Sequence, residues 1–141
     1  MAIQWAAADD RVKAVVALEP FATMSDAVVD FTRYVMGWKK FLFSEKGLRD
    51  AAARGAQIAG FDVNEANPLK AIAAMKTPVL LVHGTADRHL PPEHSRRLHA
   101  AAPDHSELVL MEGDGHLTLW IRHFEELRGR TVAWLGEKLK E

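Results

Sequence analysis

Apolar positions along the chain alternate between two rhythms. Val12–Leu18, Val79–His83 and Glu107–Met111 are short runs rich in Val and Leu without polar alternation, the mark of strands covered on both faces of a parallel sheet. Elsewhere the spacing opens to a helical period. Ala2–Ala8 is small and helix-compatible and ends at Asp9-Asp10; Asp26–Met36 carries Val28, Val29, Phe31, Val35 and Met36 behind a Ser25 or Asp26 cap. Leu48–Ala59 repeats the pattern through Leu48, Ala51, Ala52 and Ile58, with Gly60 as its stop. Asn67 caps a short helix that opens on Pro68 and runs to Met75, and Pro92–Ala102 forms another, broken by Pro103-Asp104. The last helix spans about Leu117–Leu139 with Trp120, Phe124, Leu127, Trp134 or Leu135, and Leu139 along its stripe. Gly129 lies inside it at a cost of ~1 kcal/mol relative to Ala, which marks a place for a break.

Strands alternating with helices predict an α/β fold of three layers, about three parallel strands joined by right-handed crossovers. The helical stretch Pro20–Met75 is too long for an ordinary connection, so residues 20–75 read as a helical cap inserted into one domain spanning 1–141. The chain's 141 residues and 48% hydrophobic content suit one soluble globular domain.

Charge narrows the partners. Eighteen Lys and Arg against nineteen Asp and Glu give a net charge of -1, without a basic stripe, so neither nucleic acid nor an anionic membrane surface is expected as a partner. The absence of cysteine removes disulfides, thiolate metal sites and a Cys nucleophile. With no signal peptide and no apolar run near the ~20 residues of a membrane span, the expected compartment is the cytoplasm.

Two turns carry the candidate chemistry. VLLVHGTADRHLPP places Asp87 just past a buried strand, and LVLMEGDGHLTLW places His116 between paired glycines and the last helix. In a parallel sheet the strand carboxyl ends share one edge, so the two turns would meet there. His116 would then serve as a general base, with Asp87 setting its tautomer and stabilising the imidazolium. The plain alternatives are a turn or capping Asp and a surface-loop His. Of the other histidines, His94, His99 and His105 fall on or near a surface helix, His123 inside the final helix, His89 beside Asp87, and His83 reads as a packed strand residue. The histidines between His83 and His105 lack the i, i+4 pair of a helical zinc motif and an accompanying acidic cluster. Phe31, Tyr34, Trp38, Phe41 and Phe43 in the cap either line an acyl or aromatic pocket or pack a helical core.

The run TPVLLVHGTADRHLPPEHSRRL followed by ELVLMEGDGH and a closing helix resembles the C-terminal half of the α/β-hydrolase fold, in particular its prolyl-oligopeptidase-like and dienelactone-hydrolase-like members. MAIQWAAADDRVKAVVALEPF is similar to that family's helix behind the nucleophile and its next strand. The resemblance implies a serine-type hydrolase of esters, thioesters or amides, with Asp87 in the H-G-x-x-D turn as acid, His116 in the G-x-G-H loop as base, and no cofactor or metal.

The chain departs from that pattern in having no G-x-S-x-G elbow, and the resemblance places the nucleophile just upstream of Met1. Ser25, Ser44, Ser95 and Ser106 all stand in other contexts. The expectation is therefore the acid–base half of a hydrolase, inactive by itself, or alternatively a non-catalytic module acting through self-association or partner binding. The unpaired edge of strand Val12–Leu18 predicts a homodimer that covers it.

Overall fold

The computed structural model describes residues 2–140. Three strands, β1 (Val15–Leu18), β2 (Val79–Gly84) and β3 (Ser106–Met111), form one sheet in the order β1–β2–β3, and both pairings are parallel. The register sets Leu18 beside Val82 and Gly84 beside Met111, which brings all three carboxyl ends to one edge.

Every residue of β2 is buried, as its unbroken apolar sequence requires. Alternate side chains serve opposite layers. Val79 and Leu81 pack with Ile3 of α1 (Ala2–Ala8), Ile72 of α4 (Pro68–Ala74) and Leu98 of α5 (Glu93–Ala101). Leu80 and Val82 pack with Leu119, Leu127 and Trp134 of α6 (Thr118–Lys138). Burying each such Leu or Val is worth about 1.5–3 kcal/mol, so the central strand is the energetic centre of the fold. The observed architecture is thus the expected helix–sheet–helix sandwich on three parallel strands.

Several boundaries differ from the sequence reading. Residues 12–14 are not strand: Val12 N–H bonds the Asp9 carbonyl at 3.1 Å, closing a turn after α1, and β1 starts at Val15. Helix α2 (Met24–Met36) is capped by Thr23, whose side chain accepts from Asp26 N–H, so Ser25 and Asp26 already belong to its first turn. A 3-10 turn, Gly37–Leu42, leads to α3 (Glu45–Ile58), capped by Ser44. The break in α6 falls at His123, with φ −120° and ψ 22°, and not at Gly129. That helix carries apolar residues on two adjacent stripes. The sheet takes the one led by Leu119, leaving Trp120, Phe124 and Leu139 about half exposed.

Within 20–75, α4 lies against the sheet through Ile72, while α2 and α3 pack on one another beyond the strand ends. The half-buried Asp26 ties these two helices down. It meets Arg49 of α3 at 2.7 Å and Arg97 of α5 at 2.8 Å. Burial would raise the Asp26 carboxyl, but the two guanidinium groups outweigh it and hold it at about 2. Among the described residues no helix is long and apolar enough to cross a membrane, and β1 pairs with β2 alone.

Candidate active site

Past the end of each strand an ionisable side chain turns toward the same point: Glu19 directly after β1, Asp87 three residues after β2 and His116 five residues after β3. The backbone makes this convergence rigid. Glu19 N–H continues the ladder to the Val82 carbonyl at 2.8 Å, Thr85 N–H reaches the Met111 carbonyl at 2.9 Å, and Ala86 N–H reaches the Asp114 carbonyl at 2.8 Å. The last two bonds lace the Asp87 turn to the His116 turn. Gly84 is required at that seam, since a Cβ there would lie 2.3 Å from the Asp114 carbonyl oxygen. Gly113 supplies the second bend with φ +75°, a conformation that side-chain-bearing residues disfavour.

Asp87 is buried, and its two oxygens have separate tasks. One accepts the backbone N–H groups of His89 at 2.8 Å and Leu90 at 3.0 Å, which fixes the carboxylate to its own turn. The other accepts from His116 Nδ1 at 2.7 Å and lies 3.4 Å from His83 Nε2. Burial by itself would raise this carboxyl; the bonds from His83, His116 and the two backbone groups outweigh it and hold it at about 2. Asp87 is therefore a permanent anion at neutral pH.

A carboxylate can only accept, so the 2.7 Å contact puts a hydrogen on His116 Nδ1. Nε2 then carries the lone pair. All polar contacts of this ring run through Nδ1, and the side chain is 33% exposed. Such a ring, with an anion behind and an open basic nitrogen in front, is poised to take a proton from a hydroxyl or a water. The structure thus brings Asp87 and His116 together in the arrangement expected from their turns.

Glu19 is the residue that sequence reasoning missed. Its side chain is buried, Oε2 lies 3.4 Å from His116 Nδ1, and Oε1 has no hydrogen-bond partner among the described residues. Its backbone takes φ +48°, the left-handed region that costs an L-residue about 1–2 kcal/mol. Burial pushes its carboxyl up most; His116 pulls it down, Asp87 and Asp114 push it further up, and it stands at about 7. The available signal was positional, because Glu19 lies just past the carboxyl end of an apolar strand, at the edge where the turns of the other two groups also lie.

The remaining histidines are structural. His83 Nε2 faces the Leu90 carbonyl at 2.8 Å, so that nitrogen carries the hydrogen and Nδ1 accepts from Ser95 Oγ at 2.7 Å. His94 is buried and not on a surface as its helix suggested, because its Nδ1 accepts Ala22 N–H at 3.1 Å and its other nitrogen meets Asp30 at 3.2 Å. His99 bonds Ser106 Oγ, His105 bonds the Ile72 carbonyl, and His123 contacts buried Asp114 at 2.9 Å. His89 does line the crevice, its ring centroid 5.4 Å from that of His116 and 4.1 Å from that of Tyr34. All four serines are engaged elsewhere. Ser25 accepts from Arg49, Ser44 caps α3, Ser95 holds His83, and Ser106 bonds the Ala102 carbonyl.

Glu19, Asp87 and His116 each offer one atom, all within 4.8 Å of one another, a set that could in principle ligate a cation. The hydrogen on Nδ1 argues for the other use, since ligation would require that nitrogen bare. Beside His116, a cavity of about 350 Å³ is lined by Met24, Ala27, Val28, Phe31 and Leu90.

Comparison with known proteins places this geometry in context. An α/β hydrolase, GrgF from Penicillium sp. sh18, superposes with a TM-score of 0.65 at 19% identity, over 99% of this chain and 60% of that one. Est1E from Butyrivibrio proteoclasticus gives 0.66 at 18% identity, over 99% of this chain and 56% of that one. An acylaminoacyl peptidase of Pyrococcus horikoshii gives 0.62 at 18% identity, over 96% of this chain and 21% of that one. At these identities the likeness shows the fold alone. One curated relative, a probable RNA 2'-phosphotransferase of Rhodopirellula baltica, is 38% identical over 72 residues, which is 50% of this chain and 34% of that protein. The chain spans about a third of that curated relative's length and at most 60% of these solved structures. The sequence profile of the prolyl oligopeptidase family matches residues 1–141, and the chain belongs to that family, with an α/β-hydrolase fold.

Proposed function

We propose that this chain carries the acid and base of a serine-type hydrolase acting on an ester, thioester or amide, with His116 as general base and Asp87 as the acid that orients it. The observation that carries this reading is the 2.7 Å bond from His116 Nδ1 to a buried carboxylate, on a side chain that is itself one-third exposed and, among the described residues, has its polar contacts at Nδ1. In the forward step, Nε2 takes the proton of the attacking hydroxyl as its oxygen bonds the acyl carbon; the imidazolium then returns that proton to the leaving group. Asp87 stays ionised throughout. The apolar cavity beside His116 suits a hydrocarbon or aromatic portion of the substrate packed against Phe31 and Val28.

In this proposal none of the four serines is the nucleophile, because each hydroxyl is held by another partner. The attacking hydroxyl and the oxyanion-binding N–H groups come from a segment that packs beside β1, and the chain by itself is inactive. A fluorophosphonate probe tests this. The 141-residue chain is expected to stay unlabelled, and a fusion that adds a family-type segment with a G-x-S-x-G serine before Met1 is expected to label and to lose labelling in His116→Ala. Labelling of Ser25, Ser44, Ser95 or Ser106 in the chain alone would overturn the assignment.

By itself the chain is also proposed to self-associate. The outer edge of β1 presents unpaired backbone groups beside an apolar cavity of about 320 Å³ lined by Ile3, Val16, Leu18 and Phe21. A second copy related by a two-fold axis would satisfy both. Light scattering that gives a monomer mass from micromolar to millimolar concentration would refute this assembly.

A further inference from the structure

The acid–base pair explains Asp87 and His116 but leaves a third group at the same ring without a task. Glu19 reaches that ring from a different strand. Its side chain is buried, one oxygen lies 3.4 Å from the nitrogen that already donates to Asp87, and the other has no hydrogen-bond partner among the described residues. A carboxyl group so placed is costly in two ways: it gives up hydration without full replacement, and its backbone sits in a disfavoured region at φ +48°. Neither cost serves the packing of the sheet, since Leu18 and the continuing ladder bond to Val82 already hold the end of β1.

We propose that Glu19 is a second acid partner of His116, a positioning residue that shares the Nδ1 side of the ring with Asp87 and tightens its hold on the ring when it ionises. The two carboxylates differ in kind. Asp87 takes three hydrogen bonds and two further imidazole contacts and is fixed as an anion, whereas Glu19 has the His116 ring at 3.4 Å and, among the described residues, an oxygen without a hydrogen-bond partner. Glu19 is thus the adjustable member of the pair. The groups that face it are His116 and Asp114 from the β3 turn and Asp87 from the β2 turn. The other residues around it, Ile3 of α1, Leu18, Phe21 and Pro68, are apolar and supply no compensating charge.

The consequence is a base whose electrostatic backing changes near neutral pH. Below the Glu19 transition the ring has one anion behind it; above, it has two, and an imidazolium formed during proton transfer is held more strongly. The proton lost by Glu19 goes to solvent or to the ring itself. A proton resting on either Glu19 or His116 gives the same net charge, and only a probe at each site tells them apart.

This inference rests on the reading of His116 as the base, and the chain as it stands suffices to test it. The Glu19 side-chain carboxyl is followed by carbon NMR from pH 4 to pH 9 in the wild type, Asp87→Asn and His116→Gln. The wild-type inflection is expected near 7. Removing the Asp87 charge is expected to lower it, and removing the ring to raise it, each by about half a unit to one unit. A wild-type inflection in the ordinary range near 4.5, or one unmoved in both variants, would overturn the proposal. In a second measurement, the His116 ring signals of Glu19→Gln are expected to follow a different pH curve from wild type; superposable curves count against it. Should Glu19→Gln not fold, Glu19→Asn, better suited to a left-handed backbone, replaces it. The hydrolase reading fails separately, through labelling of the elbow-bearing fusion that persists in His116→Ala.

Discussion

The strand-end cluster and the α2–α3 pair lie side by side yet are built on opposite principles. At the strand ends the side chains of Glu19, Asp87 and Asp114 are buried, and backbone bonds lace together the turns that carry them. Asp87 alone collects two backbone N–H groups, one imidazole at 2.7 Å and a second at 3.4 Å. In the 3-10 turn that joins the helical pair the apolar residues face outward: Trp38 is 75% exposed, Phe41 84% and Leu42 71%. The ion pairs of Asp26 with Arg49 and Arg97 fasten its base, while its rim is left bare. Sequence in the first region is spent on fixing geometry and in the second on presenting surface. A hydrolase needs both, a base held to within tenths of an ångström and a wall that can vary with substrate.

Substitutions that remove packing beneath the strand ends should have the largest effect. Leu81→Ala deletes a fully buried side chain from the central strand and is expected to cost about 2–5 kcal/mol in urea denaturation. Gly84→Ala follows. Its methyl group would meet backbone and not a movable side chain, so the His116 turn must shift, at about 1–3 kcal/mol and with loss of the His116–Asp87 bond in proton NMR. A Gly84→Ala protein with wild-type stability and an intact bond would break the claim that the two turns are seamed at this residue.

The pH dependence sharpens the same contrast. Asp87 titrates at about 2 in the fold against 3.8 ordinarily, so its contribution is present above pH 4 and lost as pH falls toward 2. Glu19 behaves oppositely. Raised from 4.5 to about 7, it stabilises the fold most below pH 4.5, and that stability is lost as pH rises through 7, by about 3 kcal/mol. The urea midpoint is therefore expected to fall between pH 5 and pH 8 in wild type and to stay flatter in Glu19→Gln. Equal slopes in the two proteins would remove Glu19 from the account.

How much of this was legible in the sequence depends on the kind of signal. The strands around Leu81 and Val109 were readable because burial on both faces leaves an uninterrupted apolar run. Asp87 and His116 were readable because glycines flank their turns and the resemblance to a known family pattern singles them out. Glu19 was not, since a Glu-Pro step after an apolar run also describes an ordinary exit from a strand, and only the sheet register shows it beside His116. The stripe of α6 was legible in part: Leu127 and Trp134 are buried as expected, but Leu119 takes the place of Trp120, because both are apolar and the angle of the helix on the sheet decides between them. Thr23 lost to Ser25 and Asp26 as cap because all three are good N-cap residues, and selection among them depends on where the chain leaves β1.

The smallest effect on stability is expected in the outer rim, and there the comparison can be broken from the other side. Phe41→Ser touches a side chain that the fold hardly covers, so its effect on the urea midpoint should stay within about 0.5 kcal/mol. Phe31 is different, because it lines the cavity beside His116 while remaining half exposed. Phe31→Ala should cost more than Phe41→Ser, yet less than Leu81→Ala. In a protein completed with a nucleophile, it should raise KM for long-chain or aromatic acyl substrates more than for acetyl ones, since the lost contact is with the hydrocarbon portion and not with the reacting carbonyl. An equal rise for both substrates would mean that Phe31 supports the fold of α2 and not the substrate, and would place the acyl wall elsewhere on this surface.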